Sequence, residues 1–340
     1  MGVTIKDVAK KTGLSITTVS LVLNKKDNRI SERTRQLIES AAQELNYTPN
    51  PTAVSLVTKK TRIIGLILPE NGYYHFSTLL RSVESACRNA DYYLMVSIAR
   101  PGAEDALLQI ENFIKKKVDG LIFDPSCLPI DSPGYLEALS RVNIPVVSLG
   151  CVGQQLLANS IAPSHQQGGF LAVTHLLELG HRKIGCITGP AVYDSSLNFW
   201  RGYQDAMEEY DLSVDPLLLF QGPYGVETGH TGFRKLIDHG ITAIVTASDL
   251  IACGVWHEAT QKGLTIPDDL SIVGYGDSFP TSYFNRELTS ITMHFDRIAR
   301  KAVNLIRKWD ECNGPLPPET IFPSLISRKS SAPPQTVPAI

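Results

Sequence analysis

Apolar residues recur at helical spacing through the first part of the chain: Ile5, Val8 and Ala9, then Leu14, Val19, Val22 and Leu23, then Leu37, Ile38, Ala41, Ala42 and Leu45. That rhythm predicts three short amphipathic helices closing one small core. Polar residues mark where they start. Thr4 with Asp7 three residues on supplies both halves of a capping box, Gly13 stands where a left-handed residue ends a helix, and Ser15 caps the second helix after a very short turn. Ser31 opens the third. Ile16, Thr17, Ser20 and Leu21 are left over for another surface. The outline is that of a helix-turn-helix, although the bare pattern also suits a plain folded end.

From Ile63 the texture changes to apolar runs alternating with amphipathic segments. I-I-G-L-I-L is followed by a helix from His75 to Ala90, then Y-Y-L-M-V-S-I, a helix from Ala103 to Lys117, D-G-L-I-F, a helix near Tyr135 and I-P-V-V-S-L. The pattern then restarts: a helix from Gln166 to Leu179, K-I-G-C-I-T, a helix from Leu197 to Tyr210, P-L-L-L-F, a helix through Lys235, I-T-A-I-V-T, a helix after Asp249, and L-S-I-V-G-Y. Strands alternating with helices of this length predict parallel sheets covered on both faces. Two such sets predict two lobes and a cleft between them. The expected class is α/β, with a three-helix head, a hinge helix and a two-lobed body.

Between head and body, Tyr47 to Arg62 reads Y-T-P-N-P-T-A-V-S-L-V-T-K-K-T-R. Two prolines break the third helix, and a short helix can start at Pro51 or Thr52. A plain linker seldom carries Ala53, Val54, Leu56 and Val57 without something to bury them. Charge sharpens the division, because residues 1–60 hold ten Lys and Arg against five Asp and Glu, leaving 22 basic and 29 acidic residues for the rest. A basic head on an acidic body suits a head that meets phosphates.

Other classes find little support. The first strand is not followed by G-x-G-x-x-G, there is no G-x-S-x-G or phosphate-cradling G-x-x-x-x-G-K, and Ser164 with His165 lack a third partner at recognisable spacing. No enzyme, no cofactor and no catalytic residue is expected. Six singly scattered cysteines, Cys87, Cys127, Cys151, Cys186, Cys253 and Cys312, form no C-x-x-C, so reduced thiols are expected and no metal site. Neither an apolar leader nor a run near 20 apolar residues is present, which points to a cytoplasmic protein without a membrane partner.

T-I-K-D-V-A-K-K-T-G-L-S-I-T-T-V-S-L-V-L-N, followed by I-S-E-R-T-R, L-N-Y-T-P-N-P and A-V-S-L, resembles the head of the LacI/GalR regulators, the lac repressor and purine repressor family, across its whole length. The resemblance implies a homodimer on double-stranded operator DNA, associated with the nucleoid when bound, with recognition helices in two major-groove half-sites and paired hinge helices opening the minor groove between them. It implies DNA-contacting roles for Thr4, Ser15, Ile16, Thr17, Thr18, Ser20, Leu21, Asn24, Tyr47, Asn50, Ala53 and Leu56. Ile16 and Thr17 sit where bases are read, Thr18, Ser20 and Asn24 suit phosphates, and the leucine matching Leu56 is the family's minor-groove wedge. Leu21 stands where many relatives carry a guanine-reading arginine, and Val54 where Arg or Lys is usual. Leu21 offers only apolar contact, such as to a thymine methyl, or packs within the head.

For the body the resemblance implies a periplasmic-binding-protein-like effector domain, consistent with G-H-R at Gly180, G-P at Gly189 and S-D at Ser248. The implied layout is a head over residues 1–48, a hinge over 49–61, a first lobe over 62–161 plus about 292–321, a second lobe over 162–291 plus about 322–330, and a disordered tail over 331–340 that carries no leucine heptad. Ligands in such sheets lie beyond the carboxyl ends of strands, which nominates Tyr74, Phe76, Tyr193, Ser195, Tyr224, Asp249 and Asp277, and the resemblance adds Phe199 at the place of a family pocket residue. Three departures stand out: Phe199 replaces the family's arginine, Gly276 its aspartate, and Pro163 with Ser164 its D-N pair. Losing a bidentate cation and a paired acceptor argues against a typical sugar or purine effector, unless Arg201, Tyr193, Ser195 or Asp277 take over in a shifted register.

The expectation is therefore a dimeric transcriptional regulator, a repressor, whose hinge spacing is modulated by a small-molecule effector of unknown class. The alternatives are a regulator whose cleft ignores small molecules and answers to a protein partner, and, from another class, a solute-binding receptor of the same body fold.

Overall fold

The computed structural model describes residues 3–24, 30–70, 75–100, 103–125, 142–151, 159–278, 288–311 and 314–335. The chain divides into two compact units, Met1–Arg62 and Ile63–Ile340. In the first unit, α1 (Ile5–Thr12), α2 (Ile16–Leu23) and α3 (Glu32–Glu44) surround a core of Val8, Ala9, Val19, Val22, Ile38, Ala41 and Ala42. The capping box forms, with the Thr4 backbone N–H donating to Asp7 Oδ2 at 2.9 Å and its hydroxyl at 2.8 Å. These bonds hold the Asp7 carboxyl below the usual carboxylate range. Gly13 adopts φ 68° and ends α1. Ser15 and Ser31 accept the N–H groups of Thr18 and Thr34. Leu37, expected in this core, is 50% exposed: Ile38, Ala41, Ala42 and Leu45 already share one stripe of α3, and a residue one step earlier lies about 100° around the helix. A fourth helix, α4 (Pro51–Thr58), follows the proline pair.

The second unit holds two parallel sheets. The first is four-stranded in the order β2 (Tyr93–Ala99), β1 (Ile63–Pro69), β3 (Gly120–Phe123), β4 (Val146–Ser148), every pair parallel. The second is six-stranded in the order β12 (Ser324–Ile326), β10 (Thr289–Thr292), β9 (Ser271–Tyr275), β8 (Ala243–Thr246), β6 (Ile184–Thr188), β7 (Leu219–Gln221), and only β12 runs antiparallel. Residues of β3, β6, β8 and β9 are buried without alternation, because helices cover both faces. Those helices are α5 (His75–Asn89) and α6 (Ala103–Lys115) on the first sheet, and α7 (His165–Glu178), α8 (Asp194–Glu209), α9 (Val226–Leu236) and α10 (Asp249–Gln261) on the second.

The chain returns to the first lobe late. Helix α11 (Phe295–Arg307) packs against α5, and β11 (Glu319–Ile321) pairs in parallel with β5 (Ile161–Pro163). β12 then crosses back to the second sheet.

Three readings of the sequence need correction or fall outside the description. P-L-L-L-F is strand only from Leu219, because Asp215 accepts the Leu217 N–H at 2.9 Å and tightens Pro216–Leu218 into a 3-10 turn. The start of the tail expected to be disordered is anchored: Ser331 Oγ shares a hydrogen bond with His175 Nε2 at 2.8 Å, and the Ala332 N–H donates to Ser271 Oγ at 3.1 Å. The helix expected near Tyr135 lies outside the described residues. Among the described residues no helix is long and apolar enough to cross a membrane.

Candidate DNA-binding surface and ligand cleft

Helix α2 buries Val19 and Val22 and turns its other side outward, with Ile16 45% exposed. Ile16, Thr17, Ser20, Leu21 and Asn24 from α2 line one hollow of about 510 Å³, together with Tyr47, Asn50, Ala53, Val54 and Val57 from the approach to α4 and that helix itself. Leu21 is partly buried on the wall of this hollow. Asn24 closes α2 by donating from Nδ2 to the Ser20 carbonyl at 2.7 Å. Thr4, Ser15 and Thr18 do not line the hollow; their hydroxyls serve the helix caps, and those of Ser15 and Thr18 lie 2.9 Å apart. Tyr47 leans on the head core, which raises its phenol above the ordinary value. On α4, Leu56 and Val57 are 75% and 79% exposed. Val57 was not nominated from the sequence, although its place beside Leu56 gives the same apolar signal.

Between the lobes lies a cavity of about 60 Å³. Leu79, Asp124, Leu149, Phe295 and Ile298 wall it from the first lobe, and His165, Ser195, Phe199, Tyr224, Ala247 and Tyr275 from the second. Asp124, Leu149, Ala247 and Tyr275 stand at or just beyond the ends of β3, β4, β8 and β9, as open parallel sheets require of a ligand site. Helices α7 and α8 are held close by glycine: a Cβ on Gly202 would lie 1.9 Å from the Gln166 carbonyl oxygen, and one on Gly169 2.2 Å from that of Phe199. That approach brings His165 and Phe199 to the same wall. Tyr275 meets both, with its hydroxyl 2.8 Å from His165 Nδ1 and its ring edge-on to Phe199 at 5.3 Å and 84°. Burial lowers the His165 pKa to about 4, so the imidazole is neutral near pH 7. The Tyr224 hydroxyl shares hydrogen bonds with Ser196 Oγ at 2.9 Å and Ser195 Oγ at 3.3 Å.

Ser195, Phe199 and Tyr224 are thus nominated residues that meet in the cleft. Four others are elsewhere. Phe76 is 8% exposed in the body core. Tyr193 is the N-cap residue of α8 and is not among the lining residues. Asp249 is 1% exposed and accepts the Ser278 N–H at 2.6 Å, the Ser278 hydroxyl at 2.9 Å and the Ser290 hydroxyl at 2.7 Å. Burial nonetheless raises its carboxyl above the usual range. Asp277 accepts Arg328 Nη2 at 2.6 Å. Both acids are spent inside the second lobe. Arg201 is exposed and donates to Asn198, so no register shift brings its cation to the cleft. Tyr74 lies outside the described residues. His165 and Tyr275 were missed: the residues after L-S-I-V-G-Y drew attention to Gly276, one position late, and His165 was weighed only as a partner for Ser164.

Residues 4–50 match bacterial regulatory proteins of the lacI family, and residues 173–331 match a periplasmic binding protein-like domain. The HTH-type transcriptional repressor PurR of Haemophilus influenzae (strain PittEE) is 34% identical over 334 residues, covering 96% of this chain and 98% of that protein. The HTH-type transcriptional regulator DegA of Bacillus subtilis (strain 168) is 32% identical over 86% of each chain. A crystal structure of the lac repressor dimer bound to operator and the anti-inducer ONPF aligns with a TM-score of 0.83 and 27% identity over 98% of this chain and 100% of that one. Head, hinge and two-lobed body are therefore those of a regulator that binds DNA rather than those of an enzyme, and the chain belongs to the lacI family of DNA-binding transcriptional repressors.

Proposed function

We propose that the chain represses transcription from the cytoplasm as a homodimer on a palindromic operator, with Ile16, Thr17 and Leu21 of each subunit facing bases in the major groove and Leu56 wedged into the central minor groove. One observation carries this reading: residues of α2 and α4, Val57 among them, line a single hollow, and α4 also carries the exposed apolar Leu56. Ser20, Asn24 and Asn50 suit phosphate contacts that fix register. Leu21 suits a thymine methyl at the position where arginine would demand guanine. The edge strand β2 of the first lobe, where Val96 is 41% and Ile98 61% exposed on one face, suits the subunit interface. Selection of operators from random duplexes tests the reading. A palindrome whose half-sites tolerate A·T at one position, and which regains a guanine preference with Leu21→Arg, is expected. Equal affinity of the parent, Thr17→Ala and Leu21→Ala proteins for that operator would remove α2 from the contact surface.

The cleft takes a compact, largely apolar effector that meets a few polar groups, the His165–Tyr275 pair with Asp124, Ser195 and Tyr224. It acts by preferring one hinge spacing over the other, since coupling needs differential affinity. Phenylalanine at position 199 and the engagement of Asp249 and Asp277 elsewhere leave Asp124 as the one acid lining the cavity, without the cation and paired acceptor that suit a sugar diol or a purine. The volume supports a second reading: about 60 Å³ is well below the ~150 Å³ that holds a benzene-sized guest, so the protein's own rings would fill the site and regulation would rest with a protein partner. A thermal-shift screen separates them. A small apolar ligand that raises Tm and alters operator affinity supports the first, a blank across all classes supports the second, and a shift with sugars or purines overturns both.

A further inference from the structure

In the second lobe, α9 and α10 run close enough that a Cβ on Gly229 would lie 2.1 Å from the Ile251 carbonyl oxygen. This contact sets His230 of α9 against His257 of α10, with ring centroids 5.0 Å apart. Glu258 lies beside them. One ligand atom from each of His230, His257 and Glu258 falls within 4.8 Å of the other two.

Three features go beyond a chance cluster. Nε2 of His230 is buried and has no hydrogen-bond partner among the described residues, a state that native interiors rarely leave unexplained. Nδ1 of the same ring lies 3.4 Å from Glu227 Oε2, the arrangement in which a carboxylate orients a metal-bound imidazole and leaves its other nitrogen for the ion. Glu258, in turn, is held by Arg234 Nε at 2.7 Å and Nη2 at 2.9 Å. A carboxylate has about four lone-pair sites, so this fork positions the group and still leaves it able to accept a cation. The Arg234 pair explains Glu258, and exposure explains His257. Neither explains the orphaned nitrogen of His230.

We propose that His230, His257 and Glu258 bind a first-row divalent ion of the zinc type, with water completing the shell. Two imidazoles and one carboxylate suit Zn²⁺ or Ni²⁺ rather than Mg²⁺ or Ca²⁺. Ligand atoms around a tetrahedral zinc ion sit about 3.3 Å apart for bonds of 2.0–2.1 Å, closer than the spacing seen here. The exposed His257 side chain swings in to close the difference, while His230 and Glu258 are held by their partners. The ion then ties α9 to α10. Tyr224, just before α9, and Ala247, just before α10, both line the cleft, so the tie stiffens one wall of it.

The test uses the full chain stripped with a chelator and then given zinc chloride, with magnesium chloride as control. One zinc per chain after gel filtration, and a rise in Tm with zinc but not with magnesium, are expected. His257→Ala, at an exposed position, should keep the metal-free Tm and lose both zinc and the shift. His230→Leu should lose them too, and should match or exceed the parent's metal-free Tm because it removes the orphaned nitrogen. A parent that retains no zinc overturns the proposal. So does uptake that persists undiminished in both variants, which would place the ion on cysteines or elsewhere.

Discussion

Nδ1 of His165 and the hydroxyl of Tyr275 lie 2.8 Å apart, joining the first turn of α7 to the end of β9 across the cleft wall. The pair shares the cavity wall with three further polar residues, Asp124, Ser195 and Tyr224, among mainly apolar neighbours. It also gives the body a dependence on pH.

Burial lowers the His165 pKa to about 4, whereas an unfolded histidine titrates near 6.5. Between these values the unfolded chain binds a proton that the folded chain refuses. Stability is therefore complete above about pH 6.5 and is lost as pH falls toward about 4. His175 and His181, also lowered by burial, add to the same trend. Urea midpoints measured from pH 7 down to pH 4.5 should fall, and His165→Gln should flatten the slope while keeping a bond to Tyr275. An equal slope in the variant would show that other groups carry the effect.

Gly202→Ala should be disproportionately harmful for a single methyl. Its Cβ would stand 1.9 Å from a backbone carbonyl oxygen, which cannot rotate away. Helices α7 and α8 must separate, at a cost in the range of core overpacking, about 1–3 kcal/mol or more. The check is the urea unfolding free energy of the variant against the parent.

Leu56→Ala should do the opposite kind of damage. The side chain is 75% exposed, so stability should change by less than about 0.5 kcal/mol. Operator affinity and bending should fall at least tenfold if the leucine separates a base step. Gel mobility of operators with the site at different positions along the fragment reads both quantities.

Ser330 is fully buried, donating to the Ile272 carbonyl at 2.6 Å and accepting the Thr289 N–H at 2.8 Å. Ser330→Ala leaves that N–H and carbonyl without their partner and should cost about 1–3 kcal/mol. Thermal unfolding of the isolated variant provides the measurement.

Much of this arrangement could be read from the chain. Thr4 with Asp7, Gly13 and Ser15 announce their helix ends because capping is local chemistry, and the unbroken apolar runs of the β strands announce two covered faces. Leu37 misled because helical spacing gives a stripe but not its edges. Asp249 and Asp277 misled because a carboxylate after a strand looks the same whether it faces a ligand or is satisfied by Ser278, Ser290 or Arg328, partners distant in sequence. The anchored tail was hidden for the same reason: Ser and Pro suggest a loose end until His175, Ser271 and Thr289 are seen to receive it. His165 and Tyr275 are 110 positions apart, and only the folded sheet makes them a pair.

The pairing of Glu319–Ile321 with Ile161–Pro163 bears on how a newly made chain matures. Synthesis delivers the chain from its first residue, and domains fold as units as they emerge. The head needs nothing beyond its own residues and can fold early. The first lobe, by contrast, must wait for α11 and β11, which follow nearly all of the second lobe. A half-made molecule therefore carries a finished DNA-reading head on an unfinished body, with α5 uncovered where α11 belongs. Any chain cut short before Phe295 would keep that surface exposed.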